Sequence, residues 1–286
     1  LHRRRHSFPT RRSSDLPPKV RSWVPVAVEG ASLLNAHRRF ANWLAASDPS
    51  KPNDIAFLGE LQRVRVALHK AKQRAVAERI QDVLATGQKV IVFTAFTDGL
   101  RKHAATLGDA CVTISGDQDA EARMQAVDAF QTDDRIRVAV CNLIAGGVGI
   151  TLTAGTHVIF QDLDWVPANH AQAEDRAYRL GQKYRVTVEY ILGEGTLDTY
   201  VADLLSTKMA LIQAVEMDEA PDASILADLE ARLRALGPAF LLEQRAAAAT
   251  GDAAARIEAL GAVLPRGTQV QEVDQSGVHE FTSSRD

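Results

Sequence analysis

Residues 139–182 read AVCNLIAGGVGITLTAGTHVIFQDLDWVPANHAQAEDRAYRLGQ, and this stretch decides the fold. Ile136 to Val140, which leads into it, is a β-branched apolar run suited to a strand, and Ala145-Gly146-Gly147-Val148-Gly149 supplies glycines where a backbone can approach a ligand closely. His157 to Phe160 is a second apolar run, and Asp162-Leu163-Asp164-Trp165-Val166-Pro167 forms an acidic-aromatic loop after it. Gln172, Arg176 and Arg179 stand at i, i+4 and i+7, so a helix from Asn169 to Leu180 would carry all three on one face. Two planar, always-charged, five-donor guanidiniums aimed the same way suit phosphate oxygens and the charge on a transferring phosphoryl group. Taken alone, the same spacing also fits a solvated face whose arginines pair with Glu174 and Asp175.

Upstream of this stretch the same alternation continues. Gln88 to Phe96, QKVIVFTAF, is nearly continuous in apolar residues, as a strand buried on both faces requires. The pattern then predicts a helix over 98–107, a strand over Cys111–Ser115, a helix over 119–130 and the strand Ile136–Cys141. Val186 to Leu192, VTVEYIL, is a last strand, and Gly195-Thr196 caps a helix with the stripe Leu197, Val201, Leu204, Ile212 and Val215. Strands alternating with helices imply right-handed crossovers and a parallel, doubly wound sheet. Ligands of such sheets sit beyond the carboxyl ends of the strands, which nominates Thr94, Ser115, Gly116 and Asn142 together with the glycines of 146–149.

The order strand, glycine turn, strand, acidic-aromatic loop, arginine helix resembles the C-terminal helicase motifs of the SNF2 family of DNA-dependent ATPases. AGGVGITLT looks like motif V, DLDWVPA the segment after it, QAEDRAYRLGQ motif VI, and QKVIVFTAF motif IV; HAQAEDRAYRLGQ is closest in wording to the annealing-helicase branch. Thr151 occupies a place where many members have Asn. The resemblance covers about residues 16–217 and implies an α/β, RecA-like second lobe: a parallel sheet flanked by helices, with helical extensions at both ends. It further implies catalytic Arg176 and Arg179, nucleotide contacts from Gln172, Gly147 and Gly149, and DNA backbone contacts from Thr94, Ser115, Gly116 and Asn142. ATP and Mg²⁺ are the implied cofactors, held mainly by a first ATPase lobe, because the sequence has no G-x-x-x-x-G-K-[ST] and no strand ending in a metal-binding acid pair. The implied partners are double-stranded or branched DNA and that first lobe, and the chain by itself is expected to be inactive. The competing reading is a non-catalytic interaction module that keeps the lobe fold. A Rossmann dehydrogenase is disfavoured because no G-x-G-x-x-G follows a strand.

Composition agrees with a globular chain: 286 residues, 46% hydrophobic and 24% charged. No run of 18 apolar residues and no apolar leader core occurs, so a cytoplasmic protein with no membrane partner is expected, nucleoid-associated when on DNA. Cys111 and Cys141 both lie in apolar runs and read as buried reduced thiols; no metal ligand is assigned. The net charge is −3, but residues 1–21 hold seven basic side chains against one acid, which leaves 26 basic and 35 acidic side chains, or −9, over residues 22–286. A body of that sign is not a self-sufficient nucleic-acid binder.

Residues 1–15, LHRRRHSFPTRRSSD, resemble translated sequencing-adapter read-through and are set aside from the fold. Residues 16–59 read as an inter-lobe connection with a short amphipathic helix over Leu33–Ala46, broken by the Ser/Pro/Asp run at 47–54. Residues 60–217 are expected to form the lobe and its bracing helix; the long pattern from Phe57 to Leu84, which starts just before that boundary, reads as a packing helix with a solvated basic face. Ile225–Leu236 and Ala239–Leu264 make 218–264 a helical appendage, and 265–286 is expected to be a mobile tail.

Overall fold

In the computed structural model, residues 16–47, 54–143, 149–202, 205–206, 269–274 and 277–282 are described. The elements run β1 (Lys19–Val26), α1 (Ala31–Ala46), α2 (Asp54–Ala85), β2 (Val90–Thr94), α3 (Thr97–Leu107), β3 (Cys111–Ile114), α4 (Ala120–Thr132), β4 (Val138–Asn142), β5 (His157–Phe160), α5 (Pro167–Ala177), β6 (Val186–Gly193), β7 (Gln269–Asp274) and β8 (Gly277–Thr282). Six strands form an all-parallel sheet in the order β3-β4-β2-β5-β6-β1, and β7 and β8 extend it past β1. This is the RecA-like α/β arrangement that the alternating pattern predicts.

Strand residues alternate between two cores, as a pleat requires. In β2, Val90 and Val92 pack with Val138, Val140, Ile159 and Ile191 beneath Val76, Ile80 and Val83 of α2 and Leu100 of α3. Ile91 and Phe93 face the other way, among Phe160, Tyr190, Phe130 of α4, and Ala173 and Ala177 of α5. The helix α2, about 48 Å long at the usual rise, serves both cores: its first half adds Phe57, Leu61, Val64 and Leu68 to the second. Its buried stripe does not stay apolar. Lys72 is 1% exposed, against the solvated basic face that the sequence suggests, because its ammonium donates to Asp198 Oδ2 (2.6 Å) and to the Ile191 carbonyl (3.1 Å). Asp198 comes from the helical stretch that starts at 197, whose Thr196 accepts the Asp198 N–H (3.3 Å) as the expected cap.

Two ends of the chain behave differently from their sequence reading. The segment expected as an inter-lobe connection supplies β1, paired with β6 from Lys19↔Val186 to Val26↔Gly193, with Trp23 stacked on Tyr190 at 4.6 Å. The stretch expected as a mobile tail supplies β7 and β8, antiparallel to each other, with β7 parallel to β1 at Trp23↔Val270. Once β1 is seated on β6, its far edge presents unpaired N–H and C=O groups that can recruit another strand, whatever the local periodicity. Residues 1–15, the helical patterns at 225–236 and 239–264, and Leu204, Ile212 and Val215 lie outside the described residues. Among the described residues no helix is long and apolar enough to cross a membrane. Cys111 and Cys141 are free thiols on β3 and β4, and burial raises them to about 11 and about 12.

The sheet centre carries a buried acid, Glu189 of β6, which accepts from Arg79 Nε (2.8 Å) and Nη2 (2.5 Å) and lies 3.1 Å from His157 Nε2. Burial opposes its ionisation, but Arg79 and His157 outweigh this and hold the carboxyl at about 2. A folded value below the unfolded one gives stability that is complete above the unfolded pKa and is lost as pH falls towards 2. With 1.36 kcal/mol per unit, about 3 kcal/mol should disappear between roughly pH 5 and 2. Urea unfolding of wild type and Glu189→Gln across that range should therefore converge in acid; parallel curves would contradict the assignment.

Candidate functional site

The entry to α5 is built by Asp164. Its carboxylate accepts from Val166 N–H (3.0 Å) and Asn169 Nδ2 (3.1 Å), its own N–H donates to His170 Nε2 (3.0 Å), and Pro167 sets the first turn. Arg65 of α2 holds the same loop from the opposite side, with its guanidinium 4.1 Å from the Trp165 ring centroid and Nη2 donating to the Leu163 carbonyl (2.8 Å). Glu174, in the middle of α5, is fully buried and accepts from Lys19 Nζ (2.8 Å), Arg21 Nε and Nη2 (2.7 Å each) and the Tyr190 hydroxyl (2.7 Å). Burial would raise this carboxyl, yet Arg21 and Lys19 hold it below the usual range. Helix α5 is thereby tied to β1 and β6 through one acid.

That pairing changes the reading of the arginines. Glu174 is committed to β1 and β6, and Asp175 forms its ion pair with Lys19 at 3.8 Å. Arg176 is half-buried, its guanidinium 5.8 Å from the Phe93 ring centroid, and burial lowers its pKa. Arg179 is not on the helical face that the spacing with Gln172 and Arg176 predicts, because α5 ends at Ala177 and Tyr178 leaves it at φ −98°, ψ 77°. A turn follows, closed by Gln182 N–H to the Arg179 carbonyl (3.0 Å) and allowed by Gly181 at φ +105°. Arg179 is exposed on this turn, and its Nη1 donates to Thr151 Oγ1 (3.1 Å). Gln172 is exposed on α5.

The Arg179–Thr151 contact brings the end of the glycine-rich segment to the tip of α5, and Leu152 N–H donates to the Arg176 carbonyl (2.8 Å) beside it. Gly149 is exposed, and among the described residues a side chain there would meet nothing within 4 Å. Gly147 lies outside the described residues.

The other nominated residues gather at the carboxyl edge of the sheet, where Thr94 is in register with Asn142. Thr94 does not face solvent: it is fully buried, donating to Asp162 Oδ2 (2.7 Å) and accepting from Phe96 N–H (3.2 Å). Asp162 also accepts from Ala95 N–H (3.0 Å) and faces His69 Nδ1 at 3.0 Å, so Thr94 shapes the strand exit from beneath. Burial pushes Asp162 up, but His69, Lys72 and Thr94 prevail and lower it. Asn142 is half-buried, Ser115 N–H donates to Gln118 Oε1 (3.0 Å), and Gly116 is exposed. Among the described residues no group of three or more His, Cys, Asp or Glu could hold a metal ion.

Sequence reasoning passed over Gln182 and named Glu174 only as a possible partner of the α5 arginines, not of Lys19, Arg21 and Tyr190. Gln182 is 7% exposed; Nε2 donates to the carbonyls of Ala177 (3.1 Å), Thr153 (3.1 Å) and Gly155 (3.2 Å), and Oε1 accepts from Lys183 N–H (2.9 Å) and Tyr184 N–H (3.0 Å). The Gly181-Gln182 pair that ends the quoted stretch was the available signal, since glycine past a helix end marks a turn that something must hold.

Comparison with known proteins identifies the family and the fold. Residues 72–181 match the helicase conserved C-terminal domain. The DNA annealing helicase and endonuclease ZRANB3 of Bos taurus is 32% identical over 208 residues, covering 68% of this chain and 19% of that protein. The SWI/SNF-related matrix-associated actin-dependent regulator of chromatin subfamily A-like protein 1 of Xenopus tropicalis is 31% identical over 217 residues, covering 72% of this chain and 22% of that protein. The chain thus spans about a fifth of the length of these relatives. Among solved structures, the C-terminal domain of the Sulfolobus solfataricus SWI2/SNF2 ATPase shares the fold, with a TM-score of 0.56, 20% identity, and coverage of 73% of this chain and 92% of that one.

Proposed function

Because residues 72–181 belong to the helicase conserved C-terminal domain family and the chain is homologous to SNF2-family helicases, we propose that it is the second motor lobe of an ATP-dependent DNA translocase or annealing helicase. In this reading a first lobe holds ATP and Mg²⁺, and closure of the two lobes brings Arg179 and Arg176 to the γ-phosphate. Charge that develops there is met by guanidiniums already in place, which lowers the barrier without reorganisation at the moment of reaction. The observation that carries the proposal is the exposed Arg179 guanidinium, held at the tip of α5 against Thr151 of the glycine-rich segment. Gly149, which no described residue crowds, leaves room for a phosphate to approach backbone. Gln172 faces solvent one turn before Arg176 and completes the nucleotide-facing set.

DNA is the proposed track, as the name of the annealing-helicase relative suggests. Ser115, Gly116 and Asn142 at the carboxyl edge would contact its backbone, with Thr94 and Asp162 fixing the edge from below. Mg²⁺ would neutralise phosphate charge when bound; its ligands are assigned to the first lobe, and no residue described here is given that task.

The test compares two proteins. A full-length protein carrying this lobe should hydrolyse ATP faster when DNA is added, whereas the chain alone should fold and show background hydrolysis, since positioning and electrostatics supply most of such catalysis. DNA-stimulated turnover by the purified chain would refute the division of labour. An intact two-lobe protein without any turnover would favour a non-catalytic module.

A further inference from the structure

We infer that Gln182 is a positioning residue for Arg179, an inference that rests on the nucleotide-facing reading of that arginine. Two backbone segments define where the Arg179 guanidinium sits: the turn after α5, which carries its Cα, and residues 150–155, which present the Thr151 hydroxyl that receives it. One buried amide binds both. Gln182 Nε2 shares its two hydrogens among the Ala177 carbonyl on the helix side and the Thr153 and Gly155 carbonyls on the other. Its Oε1 accepts the Lys183 and Tyr184 N–H groups, so the outgoing chain is fixed as well.

Tyr178 packs against the core where the turn begins, but the residues after it have little to hold them. Leu180 is 63% exposed and Tyr184 68%, and Arg179, Gly181, Lys183 and Arg185 all face solvent. With no apolar anchor among these residues, the polar amide is what converts a solvent-exposed turn into a fixed platform. Displacement of a reacting group's partner by about 1 Å can cost on the order of 10²-fold in rate, so loss of the clamp should be read in turnover although Gln182 touches no nucleotide. Glutamate cannot replace it: a carboxylate keeps the two accepted N–H bonds but sets negative charge against three carbonyl oxygens.

The test uses the full-length protein with Gln182→Ala, Gln182→Met, Arg179→Ala and the Arg179→Ala/Gln182→Met double variant. Gln182→Met retains the length of the side chain and removes only its hydrogen bonds, so it carries the experiment if Gln182→Ala unfolds the lobe. Gln182→Met should lower kcat for DNA-stimulated ATP hydrolysis by about 10–10²-fold with little change in KM for ATP. In the Arg179→Ala background it should add nothing, because a residue acting through another loses its effect when that partner is gone. Additive losses would overturn the inference while leaving the arginine reading intact, whereas wild-type turnover in Arg179→Ala would sink the arginine reading itself. The clamp has an independent readout: trypsin should cut after Arg179, Lys183 or Arg185 about tenfold faster in Gln182→Met. Unchanged cutting would overturn it whatever the turnover shows.

Discussion

Arg179→Ala in the full-length protein should lower the turnover number for DNA-stimulated ATP hydrolysis by about 10²–10⁵, the range for losing an electrostatic donor or arginine finger. The melting temperature should hardly move, because the side chain is exposed and its contacts in the lobe are hydrogen bonds to the Thr151 hydroxyl and the Ile150 carbonyl. Arg179→Lys should rescue little, since a point charge does not reproduce a planar fork. Arg176→Ala should differ in kind. That guanidinium is half-buried over Phe93, so its removal should cost turnover together with about 1 kcal/mol of stability. Measuring both quantities for both variants separates the roles. Unchanged turnover with a lowered melting temperature at both positions would make the pair structural, and the proposed function would fall with it.

Glu174→Ala should produce the largest loss of stability of any single change in α5, about 3–5 kcal/mol, as expected for removing one partner of a buried ionic cluster. It would strip Arg21 and Lys19, whose side chains are only 26% and 15% exposed, of their shared acid and leave the Tyr190 hydroxyl without its acceptor. At about 2–4 °C per kcal/mol for a domain of this size, the melting temperature should drop by roughly 10 °C. Replacing Lys19, Arg21 and Glu174 together by Met should recover much of that, because the dominant cost is the uncompensated charge. A single variant melting within 2 °C of wild type would show that the cluster does not bind β1 to the lobe.

The core of this fold was legible in the sequence because parallel strands buried on both faces have to be apolar throughout, and Val90–Thr94, Val138–Asn142 and His157–Phe160 leave little else to be. The arginine helix was legible too, through the spacing of Gln172 and Arg176, although it begins at Pro167, which the sequence reading leaves in the preceding loop. What the sequence could not supply was any arrangement set by partners far along the chain. Helix α5 stops at Ala177 because Gln182 and the 151–155 segment capture the next residues, and this moves Arg179 off the face that its spacing implied. Lys72 is inside because Asp198 waits there, and Thr94 is buried because Asp162 claims its hydroxyl. β1 became a strand of the lobe through β6, and β7 found β1's open edge across more than 240 residues. Local periodicity reports which face of an element avoids water; the partners of buried polar groups and the edges of a sheet are long-range pairings, chosen by the free energy of the assembled fold, and only the tertiary structure decides them.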